Sequence, residues 1–367
     1  MRFQVHAETL AKNIQDISNI VEKRQTSPIL GYFLLHVHGG ELIVTATDLE
    51  IEIMVKLQLE SSEDGMVTVP AKKFSDICRS IPSQDIIRCS IKDNFVHITS
   101  GSSRFTLNTL PYDDFPRLDT DNFSNEYEIS LLAFKDLLDR THFAMAIQDV
   151  RTFLNGMLLE FGENTIRAVS TDAHRLALCE KPITKVNGDD KVQTILPRKA
   201  VQELLRILDS VEESVKIKFN ENHFQVLLPN IQFISKLVDG HYPDYERVLP
   251  VGGKFKLLAD REQLKQSLIR TAILASEKYK GVLLRLEPDV IHIIVNNTEH
   301  ETAEVELPVD YQGDSFEVGF NISYLLDVVN SIKEDQVEFQ FIDSASSCMM
   351  MEQGNSECRY VVMPMRV

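Results

Sequence analysis

Val169-Ser170-Thr171-Asp172-Ala173-His174-Arg175-Leu176-Ala177-Leu178 lies near the middle of the 367-residue chain and decides how the rest is read. Ser, Asp and His fall within five residues, a spacing that invites a nucleophilic triad. The same Thr-Asp core stands 124 positions earlier, in Thr45-Ala46-Thr47-Asp48-Leu49-Glu50-Ile51-Glu52-Ile53, without the serine or the histidine. Read as a strand, the later stretch sets Ser170, Asp172 and His174 on one face. Neighbouring strand residues do not meet in one hydrogen-bonded line beside an oxyanion hole, and no G-x-S-x-G elbow is present. The echo therefore predicts a repeated structural strand rather than a hydrolase.

The repeat extends outward from that pair. A short strand followed by an amphipathic helix appears three times. The copies are Phe3–Val5 before Glu8–Val21, Tyr127–Ile129 before Leu131–Ala146, and Phe255–Leu257 before Arg261–Ala275. Leu10, Ile14, Ile17 and Val21 keep one apolar helical face, as do Leu264, Leu268, Ala272 and Ala275. A second helix follows Pro70, Pro197 and Asn321, residue types that suit a helix mouth. Pro70 and Pro197 are 127 positions apart, and so are Pro116 and Pro243 of the aromatic-Pro turns. Asn296-Asn297-Thr298 takes the Thr-Asp place in the third copy. These spacings predict an α+β chain of three tandem, similar domains, each with two helices and antiparallel sheet. The expected domains span 1–122, 126–250 and 253–367.

Composition narrows the function. No window approaches a membrane span, and Met1–Glu8 has no apolar signal core, so a cytoplasmic protein without a membrane partner is expected. The five cysteines are scattered and form no C-x-x-C pair, which argues against a disulfide framework and a zinc site. No phosphate-cradling glycine motif, H-E-x-x-H or calcium loop occurs, so no cofactor is expected. The net charge of −17 argues against nucleic acid. Its distribution argues the other way. The six helical windows 8–24, 71–81, 131–146, 197–209, 261–280 and 321–333 hold seventeen Lys and Arg against eleven Asp and Glu. Equivalent helices gathered on one side would make a weakly basic surface able to hold phosphates without reading bases. From the residues alone, a monomeric scaffold that never meets DNA stays open beside that reading.

The repeat, together with Gln148-Asp149-Val150-Arg151, Thr171–Leu176, Leu237–Tyr245 and the terminal Val362-Met363-Pro364-Met365-Arg366, closely resembles the bacterial DNA polymerase III beta subunit family, the replicative sliding clamps. The resemblance runs from Met1 to Val367. One departure is Ala173, where that family commonly has Gly. The resemblance implies a non-catalytic homodimer, closed head to tail into a ring-shaped DNA clamp around duplex DNA. Its implied partners are the polymerase catalytic subunit, the clamp loader and repair polymerases. It further implies that Arg24, Lys72, Arg79, Gln148, Arg198 and Lys199 face DNA. Phe105 and Leu107 would meet Ile273 and Leu274 of the other copy, and Lys73 and Arg104 would face Glu299, Glu301, Glu304 and Glu306. A peptide-binding pocket between the second and third domains is implied at Leu154, Thr171, His174, Arg175, Leu176, Pro243, Arg247, Val248, Ala345, Val361, Val362, Met363, Pro364, Met365 and Arg366. Methionine and aliphatic side chains suit an adaptable groove for leucine and phenylalanine anchors.

Overall fold

Alternating apolar and polar residues build antiparallel ladders in two compact units of a computed structural model, which describes residues 1–21, 27–118, 122–189, 191–208, 214–250, 252–276 and 279–366. The first unit comprises Met1–Ser130, Lys185–Gly188 and Arg206–Leu237. It holds a five-stranded sheet that ends at the edge strand Ser103–Asn108, and a nine-stranded sheet. The second unit comprises Leu131–Thr184, Asp189–Leu205 and Val238–Val367. It holds an eight-stranded sheet and a four-stranded sheet whose edge strand is Thr302–Pro308.

Six α-helices are described: α1 Ala7–Ile17, α2 Ala71–Ser80, α3 Leu131–Asp139, α4 Arg198–Ile207, α5 Arg261–Ala272 and α6 Ile322–Ser331. Their starts follow the sequence reading. Asn321 caps α6 by accepting the Ser323 N–H at 2.9 Å, satisfying a donor that the helix leaves open. Three helices end earlier than their periodicity suggests. α1 stops at Ile17 rather than Val21, where the Ser18 hydroxyl donates to the Ile14 carbonyl and competes with the next turn. α3 stops at Asp139, and Thr141 Oγ1 likewise donates to the Leu137 carbonyl before a short 3-10 turn at His142–Ala144. α5 stops at Ala272; its buried face is completed by Ser267 and Thr271 around Leu264 and Leu268.

Two strand pairings each join one repeat to the next. Ile51–Gln58 of the first repeat pairs with Ile231–Lys236, the closing strand of the second, with Ile53 opposite Phe233. Arg175–Pro182 of the second repeat pairs with Asn355–Val362, the closing strand of the third, with Leu176 opposite Val361. These ladders explain why the chain condenses into two units although its sequence repeats three times.

The second ladder corrects the expectation from the cysteines. Cys179 and Cys358 stand directly opposite one another and are joined by a disulfide, although 179 positions separate them. Cys78, Cys89 and Cys348 are free and buried. A pairing between two repeats brings the sulfurs together, and the spacing of cysteines along the chain carries no sign of it.

Candidate functional site

The Thr-Asp stretches are turns, not continuous strands. Glu41–Thr47 and Ile51–Gln58 flank the first, and Thr165–Thr171 and Arg175–Pro182 flank the second. The Thr171 hydroxyl donates to the Arg175 carbonyl, and the same oxygen accepts the Ala173 N–H at 3.1 Å. Asp172 Oδ1 accepts the N–H groups of His174 and Arg175 at 2.9 and 3.0 Å. Thr47 and Asp48 make the matching four bonds to Ile51, Leu49 and Glu50. Asp suits this place because one carboxylate oxygen can satisfy two successive backbone donors. Both turns put a non-glycine residue in the left-handed region, Leu49 at φ 77° and Ala173 at φ 72°. In the third repeat Asn297 Oδ1 accepts the N–H groups of Glu299 and Glu301, making a longer turn.

The Ser170–Asp172–His174 triad is absent. Asp172 is committed to backbone donors and to Arg175 Nε, while Ser170 Oγ is buried without a partner among the described residues.

Beside the second turn lies a cavity of about 240 Å³. Of the residues named from the resemblance, Leu154, Thr171, Arg175, Leu176, Pro243, Val248, Val361 and Met363 line it. Arg151, Phe153, Ala173, Asp244 and Tyr245 line it too, and sequence reasoning missed them. The stretch Leu237–Tyr245 carried a signal for Tyr245, an aromatic two residues after Pro243, but burial and not residue type sets its role. Leu158, Val169, Leu178 and Ile195 pack with Leu176, Tyr245 and Val361 beneath the cavity. The remaining named residues stand elsewhere. His174 is exposed and gives its carbonyl to the Met363 N–H at 2.9 Å. Arg247 is exposed and paired with Asp244, and Ala345 sits in an exposed turn capped by Asp343. Val362 is buried opposite Arg175. Beyond it Met365 donates to the Gly319 carbonyl at 2.8 Å, between half-exposed Pro364 and exposed Arg366.

Two polar anchors hold the walls. The Arg175 guanidinium donates to Asp172, Asp327 and the Phe143 carbonyl, and lies over the Tyr324 ring at 4.4 Å from its centroid. Its charge is thereby spent on the protein, which leaves its aliphatic stem to the cavity. The Tyr245 hydroxyl donates to Glu160 and accepts from Arg167 Nη1 at 2.8 Å. Burial and the Glu160 carboxylate both push this phenol well above its usual range, so it stays neutral and fixed.

At the corresponding place in the first repeat two of the lining positions are polar. Glu52 occupies the register position of Leu176, since both face the turn threonine across the hairpin. Lys236 occupies that of Met363, and its N–H donates to the Glu50 carbonyl as Met363 donates to His174. The Glu52 carboxyl is buried, accepts the Leu118 N–H at 3.2 Å and is raised above the usual carboxylate range by that burial.

The DNA-facing candidates fall on several elements. Arg24 lies outside the described residues. Lys72 and Arg79 border a cleft of about 930 Å³ beside α1 and α2, with Arg79 also paired to Asp76. Gln148 is exposed with φ 56°. Arg198 turns a donor inward to the Met145 carbonyl at 2.8 Å, and Lys199 is half-exposed next to it on α4. Among the interface candidates, Lys73, Arg104, Glu299, Glu301 and Glu304 are exposed and Ile273 is 77% exposed. Phe105 and Leu274 are half-buried, whereas Leu107 is already buried within its own unit.

Residues 1–119, 128–244 and 246–366 match, in that order, the N-terminal, central and C-terminal domains of the DNA polymerase III beta subunit. The chain belongs to the DNA polymerase III beta subunit family. It is 46% identical to the beta sliding clamp of Pseudomonas putida and 42% identical to that of Escherichia coli K12, over the full length of each. The crystal structure of the DNA polymerase sliding clamp from Pseudomonas aeruginosa superposes over all of both chains with a TM-score of 0.97 at 44% identity. The corresponding clamp of Caulobacter crescentus gives 0.93 at 34%, again over both full chains. The three-copy α+β architecture is that of the sliding clamps, and the beta subunit is the non-catalytic processivity subunit of DNA polymerase III. No helix among the described residues is long and apolar enough to cross a membrane.

Proposed function

We propose that two copies of this chain close head to tail, in the cytoplasm, into a ring around duplex DNA that tethers the replicative polymerase, and that the cavity beside Ala173 takes the apolar anchors of partner peptides. The carrying observation is a remainder in the strand pairing. The strand after each Thr-Asp turn pairs with the closing strand of the next repeat, and this uses two of the three pairs. The strand after the third turn, Thr302–Pro308, and the closing strand of the first repeat, Ser103–Asn108, are left as sheet edges. Open edges of this kind seek a strand. A second copy supplies it, and a heterologous contact that closes makes a ring.

The first internal junction supplies a register for this edge pair. Ile234 faces Glu52, the residue opposite the turn threonine, three positions after its own hairpin closes at Ile231. The first closing strand leaves its hairpin at Ser103, so Thr106 takes that place against Thr302, the residue opposite Asn296. Arg104 of one copy then faces Glu304 of the next. Arg104 on one edge and the carboxylates of Glu304 and Glu306 on the other favour this pairing over like with like.

The domain limits we assign remain 1–122, 126–250 and 253–367. Binding energy at the cavity comes from burying side chains, about 1.5–3 kcal/mol for each fully enclosed leucine or phenylalanine. Tethering then raises the local concentration of polymerase at the template without any chemistry. Light scattering on the eluted protein tests the assembly. A mass twice the 41.8 kDa chain is expected, and a persistent monomer at micromolar concentration in low salt would favour the scaffold reading.

A further inference from the structure

Cys179 and Cys358 form the last residue pair of the ladder between Arg175–Pro182 and Asn355–Val362. Beyond them the two strands part around a cleft of about 370 Å³, bordered by Glu180, Lys181, Ser356 and Glu357, the residues next along each strand. The α-carbons of the pair are 4.0 Å apart and both side chains are buried. Three pairs away on the same strands, Leu176 and Val361 line the cavity. The ladder therefore has a ligand-bearing end and a covalently closed end. On the cytoplasmic reading proposed above, such a bond is of the exchangeable, redox-responsive kind rather than part of a disulfide scaffold.

We propose that Cys179–Cys358 is a redox-modification site that pins the open end of this ladder, closed by small-molecule disulfides and opened by thiols. In closing, the thiolate of one cysteine attacks a sulfur of oxidised glutathione and releases one glutathione thiolate. The second cysteine then attacks the mixed disulfide and releases the other. The protein loses two electrons and two protons, and two molecules of reduced glutathione carry them away. Because the cysteines end the ladder, fraying of the final pair is enough to bare the sulfurs, and the rest of the sheet stays intact. The remaining cysteines are poor competitors: burial pushes the Cys78 thiol up to about 12 and the Cys89 and Cys348 thiols well above their usual range.

The test uses the full-length protein equilibrated with oxidised glutathione or with dithiothreitol, then acid-quenched, denatured, alkylated and weighed. Three alkylated cysteines are expected after the oxidant and five after the reductant, with the lost pair mapping to Cys179 and Cys358. Hydrogen exchange on the same two samples should show slower exchange of the amides flanking the bond, residues 178–182 and 355–359, in the oxidised form, by tenfold or more, with the 175–177 and 360–362 amides unchanged. Cys179→Ser/Cys358→Ser should exchange alike in both conditions. Five alkylated cysteines after the oxidant, a glutathione adduct in place of the bridge, or equal exchange of the two wild-type forms would overturn the proposal.

Discussion

The Met363 N–H donates to the His174 carbonyl at 2.9 Å, and this bond carries the C-terminal strand's pairing into the second Thr-Asp turn. Its counterpart in the first repeat, Lys236 to Glu50 at 2.8 Å, shows that the backbone arrangement is generic to the repeat. Only the side chains differ. Leu176 and Met363 make an apolar site where Glu52 and Lys236 make a polar one.

Met363→Ala should therefore weaken binding of a short peptide with leucine and phenylalanine anchors by about tenfold, equivalent to about 1.4 kcal/mol. The oligomeric mass should not change. Fluorescence anisotropy with a labelled peptide reads the affinity, and unchanged binding would remove Met363 from the site.

Ala173 holds a left-handed backbone at φ 72°, which strains any residue with a β-carbon. Ala173→Gly should stabilise the protein by about 0.5 kcal/mol, the relief of that strain less the greater freedom of glycine in the unfolded chain. Ala173→Val should destabilise it. Urea midpoints on the three proteins give the order, and a less stable glycine variant would contradict the reading of the turn.

Asp136 gathers Lys333, Lys181 and Arg140, and Arg140 also reaches Glu352 at 2.6 Å. Burial alone would raise the Asp136 pKa, but these hydrogen-bonded cations hold it at about 2, below the ordinary 3.8. The folded-state value lies below the unfolded one. The stabilisation, about 2 kcal/mol, is thus complete above pH 4 and is lost as pH falls through 2. Urea midpoints should fall between pH 4 and pH 2, and less steeply in Asp136→Asn. A variant with the same acid slope as wild type would exclude Asp136 as the source.

Arg104→Glu should weaken the dimer at least tenfold by placing like charges opposite each other, and adding Glu304→Arg should restore much of it. Sedimentation across a dilution series measures both. Rescue by Glu306→Arg in place of Glu304→Arg would show that the register is shifted.

Much of this was legible in the sequence because it rests on local physics. Pro and Asn mark helix starts, and apolar spacing marks the buried faces of α1 and α5. Helix ends were less legible, since hydroxyls such as those of Ser18 and Thr141 bond back to carbonyls and stop helices whose periodicity continues. The Thr-Asp stretch read as a strand because turn and strand share its residue types; the two backbone donors that Asp172 satisfies are visible only in three dimensions. Tyr245 and the Cys179–Cys358 bond depend on pairings between distant segments, and no local pattern announces them.

The ring itself is tested most directly on DNA. The protein is loaded onto a nicked circular plasmid with its loader and ATP, and half of the sample is then linearised before gel filtration. Encirclement predicts that the protein stays with the circle and slides off the linear form. Equal loss from both, or equal retention on both, would contradict it.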